Sequence, residues 1–281
     1  MAVLAGVAFA AVFFDVARNL VADWSTDDNY SHGFLVVPVA LFLAWERRAA
    51  LTAAALRPSA LGLAVVVGSL LLLGAGTLGA ELFLTRVAMV GVLVGVVLFA
   101  FGWAHLHLLA FPLGFLLLMI PLPALLFNQV ALPLQLLASQ VGQAGLEAFG
   151  VPVLREGNVM ILANTTLEVA EACSGIRSLV SLLTLSLVYA YFMDSRLWVR
   201  CLLAVSTVPI AVLTNGLRVA GTGIAAHRYG ADVAEGFLHG VSGWLVFVAA
   251  LALLFALREL VNRITPDPVL PSGVPASTAS V

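Results

Sequence analysis

Long apolar runs broken by short polar clusters set the pattern of this chain. No Asp, Glu, Lys or Arg occurs from Val87 to Leu146, or from Gly236 to Leu257. A helix that crosses the hydrocarbon core needs about 20 mostly apolar residues. The first run therefore holds two such helices and part of a third element. The pattern predicts about eight spans, near residues 2–20, 31–45, 59–79, 85–103, 108–126, 175–193, 200–220 and 241–261. The second is short, so it tilts little or sits partly in the interface. A long segment, 127–173, separates the fifth span from the sixth. Between Asn128 and Phe149 its apolar residues recur at helical spacing beside Gln129, Gln135, Gln140 and Gln143, the pattern of an interfacial or re-entrant helix. Val159-Met160-Ile161-Leu162 and Leu167-Glu168-Val169 then flank Ala163-Asn164-Thr165, which predicts a small hairpin. The expected fold class is an all-α polytopic membrane protein, with about eight transmembrane helices and a small hairpin before the sixth. Residues 1–264 form the transmembrane domain, and 265–281, rich in Pro, Ser and Ala, a disordered cytoplasmic tail.

Composition agrees with the pattern. The 281 residues are 62% hydrophobic and 10% charged, against about 25% charged in a soluble domain. A soluble helical core of this size would need a polar shell that the chain has no residues to build. Net charge is −2, which leaves no basic footprint for nucleic acid. The two cysteines, Cys173 and Cys201, are too few for a disulfide framework and lack metal-ligand spacing, so no metal or cofactor is expected. The apolar N-terminus has no basic leader region and reads as a retained first span.

Charge then orients the spans. Every basic residue is Arg. Arg47, Arg48, Arg57, Arg196, Arg200, Arg258 and Arg263 fall on one side. Most acids fall on the other, among them Asp23, Asp27, Asp28, Glu81, Glu147, Glu156, Glu168, Glu171, Asp232 and Glu235. The arginine-rich side, with both termini, is expected to be cytoplasmic. Arg86, Arg155 and Arg228 are exceptions on the acidic side.

Ionisable groups at the mouths of spans are costly, so each is a functional candidate. Cys173 precedes the sixth span, Arg218 lies near the outer end of the seventh, and His239 precedes the eighth. Three elements distant in sequence thus place a thiol, a guanidinium and an imidazole at one membrane depth. A helix N-terminus and nearby cations favour a thiolate. A histidine in reach serves as base and then as acid, and a fixed guanidinium stabilises an oxyanion. Arg177 lies one turn beyond Cys173, and Glu168 and Glu171 pair with and orient the arginines or add opposing charge. Bland alternatives stand beside these roles. A lone membrane cysteine is a small apolar filler, which is the role expected of Cys201. An arginine near a span end snorkels, a histidine before a helix caps it, and Asn215 bonds across helices. His32, in Tyr30-Ser31-His32-Gly33, is either an interfacial residue or a substrate contact.

Several stretches resemble the exosortases. They are Ile120-Pro-Leu-Pro-Ala-Leu-Leu-Phe127, Val153-Leu-Arg-Glu-Gly-Asn158, Glu168-Val-Ala-Glu-Ala-Cys-Ser-Gly-Ile-Arg-Ser178, Asn215-Gly-Leu-Arg218, Gly236-Phe-Leu-His239 and Ser242-Gly-Trp244. The likeness runs from about Asp28, through Tyr30-Ser-His-Gly-Phe34, to about Leu257. It implies a polytopic enzyme of the bacterial inner membrane with sortase-like chemistry at the periplasmic face. The implied partners are the lipid bilayer and secreted protein substrates that end in a Pro-Glu-Pro motif, a transmembrane helix and a basic cluster. The implied reaction is cleavage near the motif through a thioester, with transfer to an acceptor. The family's Cys, Arg and His correspond to Cys173, Arg218 and His239. Gly240 departs from the acidic or polar residue expected after the histidine. The acceptor and the oligomeric state stay open. Two other functions compete: a transporter tied to polysaccharide export, and a non-catalytic assembly factor. A transporter needs a charged path across the bilayer, whereas the ionisable groups here cluster at one face. Neither a Gly-x-Ser-x-Gly-like nucleophile near a suitable His nor a His-Glu-x-x-His motif is present.

Overall fold

The computed structural model describes residues 2–163, 165–169, 176–230 and 237–266, with side chains from residue 4 and, in the last helix, from residue 243. The chain divides into two compact units, Met1–Pro123 and Ala124–Val281. The first holds α1 (Ala2–Thr26), α2 (Gly33–Glu46), the short α3 (Arg48–Ala53), α4 (Ala60–Leu78), α5 (Leu82–Ala100) and α6 (Trp103–Phe115), which tightens into a 3-10 turn over Leu116–Met119. The second holds α7 (Ala124–Ala148), strands β1 (Val153–Glu156), β2 (Val159–Leu162) and β3 (Thr166–Glu168), then α8 (Ile176–Met193), α9 (Leu197–Tyr229) and α10 (Phe237–Ile264). Among the described residues seven helices are long and apolar enough to cross a membrane: α1, α4, α5, α7, α8, α9 and α10. The apolar α2 and α6 are shorter. The protein is a polytopic, helical membrane protein with one small sheet.

Three boundaries differ from the sequence pattern. The fifth span was expected to run through residue 126, but the helix stops at Met119. Pro121 and Pro123 cannot extend a helical ladder, because each lacks an amide donor. The next segment, expected as an interfacial or re-entrant helix from Asn128 to Phe149, is helical and begins four residues earlier: α7 has 25 residues with Pro133 inside. The seventh span was expected to end near 220, yet α9 continues to Tyr229, 33 residues in all. Tertiary contact carries it onward: Ala220 and Ala226 are buried, and a Cβ at Gly223 would lie 2.9 Å from Leu146 of α7. The helix ends at Gly230, whose φ of +93° favours glycine.

Close helix approach organises both units. In the first, a Cβ at Gly62 of α4 would overlap the Phe99 backbone of α5, and one at Gly95 would lie 2.8 Å from the Val66 amide. Small residues let membrane helices touch along their backbones, where packing replaces the hydrophobic drive. Arg86 of α5 is buried and paired with Asp23 of α1 at 2.5 Å. That partner accounts for one basic residue on the acidic side. In the second unit α7 and α9 run parallel, in contact at Gly142 with Val219, Gly145 with Ala220 and Leu146 with Gly223. α8, α9 and α10 share a core of Leu182, Ala190, Val199, Leu203, Ala250 and Leu254.

The sheet is antiparallel in the order β1-β2-β3. The expected hairpin is β2 and β3, with Met160 opposite Leu167. β1 was not expected, although Gly157-Asn158 between Val153-Leu-Arg-Glu and Val159-Met-Ile-Leu is a two-residue hairpin signal. Val151, Met160, Leu162 and Val169 pack with Ala138 and Leu146 of α7 and Val219 of α9.

Candidate functional site

The faces of α9 divide its work. Gly216, Val219, Ala220 and Gly223 recur at helical spacing and meet α7. Thr214, Arg218, Gly221, Thr222 and Ala225 turn elsewhere. With Leu217, and with Leu245, Val246 and Ala249 of α10, they line an open groove of about 390 Å³. Among the described residues the lining is mainly apolar, and Arg218 is its one charged member. Thr214 is satisfied within its own helix, its hydroxyl donating to the Ile210 carbonyl at 2.8 Å. Arg218 is half-buried. A Cβ built on Gly243 of α10 would lie 3.9 Å from its guanidinium, so the bare glycine flanks the charge directly. Position 239 lies one turn earlier on α10, and residues four apart share a helix face.

Cys173 and Glu171 lie outside the described residues, as does the His239 side chain. The elements flanking Cys173 are described. Val169, four residues before it, is buried in the core that includes Val219, next in sequence to Arg218. Ile176, three residues after it, is buried at the first position of α8. Arg177 follows it and is exposed. Glu168 is exposed on β3. Asn215 is almost wholly buried, consistent with a packing position beside Arg218 on α9. The flank of Gly243 against Arg218 was not singled out in the sequence, although Ser242-Gly-Trp244 drew attention to that turn.

His32 belongs to the first unit. It is buried in the turn ahead of α2, and its Nε2 donates to the Leu118 carbonyl at 3.0 Å. Trp24 likewise donates its indole N–H to the Met119 carbonyl at 2.9 Å. Both carbonyls belong to the terminal turn ahead of Pro121, where the helix leaves acceptors unused. Burial lowers the His32 pKa from 6.5, against the opposing pull of the Leu118 carbonyl. Among the described residues no group of His, Cys, Asp and Glu could hold a metal ion.

The opposite end of the second unit is basic. Arg200 donates to the Asp194 carbonyl at 2.7 Å, and Arg258 donates to the Met193 carbonyl at 2.6 Å. Arg196 pairs with the buried Asp194 at 2.7 Å and also bonds the Thr265 carbonyl. These contacts tie the α8–α9 connection to the end of α10.

The family model described as transmembrane exosortase (Exosortase_EpsH) matches residues 24–256. No curated protein and no solved structure matches the chain.

Proposed function

The chain belongs to the transmembrane exosortase family, and on that premise we propose that it is a membrane-embedded cysteine protease and transpeptidase acting through Cys173, Arg218 and His239. Family membership supports a membrane protease or transpeptidase role in general. The observation that carries the finer assignment is the half-buried Arg218 in its apolar groove, flanked by Gly243 one turn after position 239. The burial of Val169 beside Val219 supports bringing the Cys173 segment to the same end of α9.

The chemistry runs in two stages. The Cys173 thiolate attacks the scissile carbonyl, and Arg218 balances the oxyanion that forms. Collapse breaks the C–N bond, and His239 protonates the departing amine. The result is a thioester on Cys173. His239 then takes a proton from the acceptor nucleophile, which attacks the thioester and restores the thiolate. Arg177, Glu168, Glu171 and Asn215 hold the charge and position of these groups.

The substrates are secreted proteins with a Pro-Glu-Pro motif, a transmembrane helix and a basic tail, processed at the periplasmic face of the inner membrane. Orientation rests on the arginines. Arg196, Arg200, Arg258 and Arg263 gather at one end of the second unit, and the excess of basic residues marks the cytoplasmic side. The end of α10 is cytoplasmic in this arrangement. The test is co-expression of a tailed substrate with Cys173→Ala, Arg218→Ala and His239→Ala proteins. Processing is expected to fall below detection for Cys173→Ala. Normal processing by that protein sinks the assignment.

A further inference from the structure

The small sheet ends on β3, and β3 leads directly into the segment that carries Cys173. Antiparallel ladders alternate residues that turn their amide and carbonyl toward the neighbouring strand with residues that turn them away. Here the Leu162 amide donates to the Thr165 carbonyl at 2.8 Å, and the Val169 amide donates to the Asn158 carbonyl at 2.9 Å. With Met160 opposite Leu167, the backbones of Thr165, Leu167 and Val169 face β2. Those of Thr166 and Glu168 therefore face away. Among the described residues β3 pairs with β2 alone, and Thr166 and Glu168 are its two exposed members. Such an edge is a template for another extended chain.

We propose that β3 is the docking strand for the substrate, whose extended sorting segment adds to the sheet as a fourth strand. This rests on the protease reading above. Continuity is the first argument. Glu168 precedes Cys173 by five residues, so a chain held along β3 runs beside the strand that leads to the thiol. Parity is the second. In a Pro-Glu-Pro segment the prolines are two residues apart and face the same way. If the central Glu turns its N–H and C=O toward β3, both prolines face outward, where no amide donor is needed. Glu168 disfavours a substrate Glu directly across from it, so Thr166 is the backbone partner. The same charge, on a strand of three residues, disfavours pairing with a second copy of this chain.

The full-length protein in membranes tests this. Thr166→Pro removes one outward N–H and leaves the groups facing β2 in place. It is expected to lower the processing rate at least tenfold more than Thr166→Ala, with thermal stability retained. Equal rates for the two variants overturn the docking strand. Should Thr166→Pro fail to fold, Glu168→Pro against Glu168→Ala makes the same comparison. Independently, benzoylphenylalanine at position 166 in the Cys173→Ala protein is expected to cross-link to substrate residues at the motif. A cross-link only to a second enzyme chain, or none to substrate, overturns the proposal. Processing that ignores the prolines but still requires Cys173 sinks the docking strand alone. Processing that survives Cys173→Ala sinks the protease reading itself.

Discussion

Arg218 is half-buried against α10, so a substitution beside it acts through position and packing. One neighbour that flanks it closely is Gly243. Alanine there meets the guanidinium at ordinary contact distance, 3.9 Å, whereas a branched chain crowds it. Gly243→Leu is expected to reduce substrate processing at least tenfold, while alkylation of Cys173 by iodoacetamide proceeds at the parental rate. Gly243→Ala is expected to fall between Gly243→Leu and the parent. The sequence identified Arg218 because a charge at a span end is costly. Gly243 carried no such signal, since a glycine announces its use only when its neighbour across the helix pair is known. His32 offers a second test at this scale. Its folded pKa is depressed below 6.5, so the unfolded chain binds the proton more readily. The stability it contributes is present above pH 6.5 and is lost as pH falls through the folded pKa. Thermal unfolding of the detergent-solubilised protein is expected to shift downward below that pH, and His32→Gln is expected to flatten the dependence.

The elements are held by contacts that a hydrophobic pattern does not encode. α4 and α5 meet at Gly62 and Gly95, and α7 and α9 meet at Gly142, Gly145, Gly216 and Gly223. A Cβ at Gly216 would overlap Val141 of α7. Gly216→Val is therefore expected to cost about 1–3 kcal/mol, the scale of overpacking a filled interface. Gly221 is the internal control. A Cβ there meets nothing within 4 Å, so Gly221→Val is expected to leave the thermal midpoint within a few degrees of the parent. The same contacts explain which elements were legible. Apolar runs revealed the long helices, because bilayer thickness demands length. The end of α9 was hidden because Gly221 and Gly223 look like breakers until Leu146 and the buried Ala226 are seen to support that turn. β1 was hidden because a half-exposed strand of four residues carries little periodic signal.

At the scale of the molecule, the two ends of the second unit differ in charge. Asp194, Arg196, Arg200 and Arg258 knit one end together, and among the described residues the charge lining the groove near the other is Arg218. The proposed orientation places Cys173 outside and Cys201, four residues into α9 and exposed, near the cytoplasm. A membrane-impermeant maleimide applied to intact spheroplasts is expected to label Cys173 and spare Cys201, with the pattern equalised by permeabilisation. Labelling of Cys201 alone would reverse the orientation.

The length of α9 makes the protein a caliper. At about 1.5 Å per residue, the 33-residue helix is roughly 50 Å long, and Arg218 stands about 32 Å from its first residue. The hydrocarbon core is about 30 Å thick. On the orientation proposed above, an untilted helix footed at Arg196 would carry Arg218 about as far as that core is thick. On the same reading, a client is expected to bring its scissile bond to that height while its own anchor stays in the bilayer. The number of residues between bond and anchor becomes a measured quantity. On the protease reading proposed above, clients with longer or shorter spacers are expected to be processed more slowly, whatever their side chains.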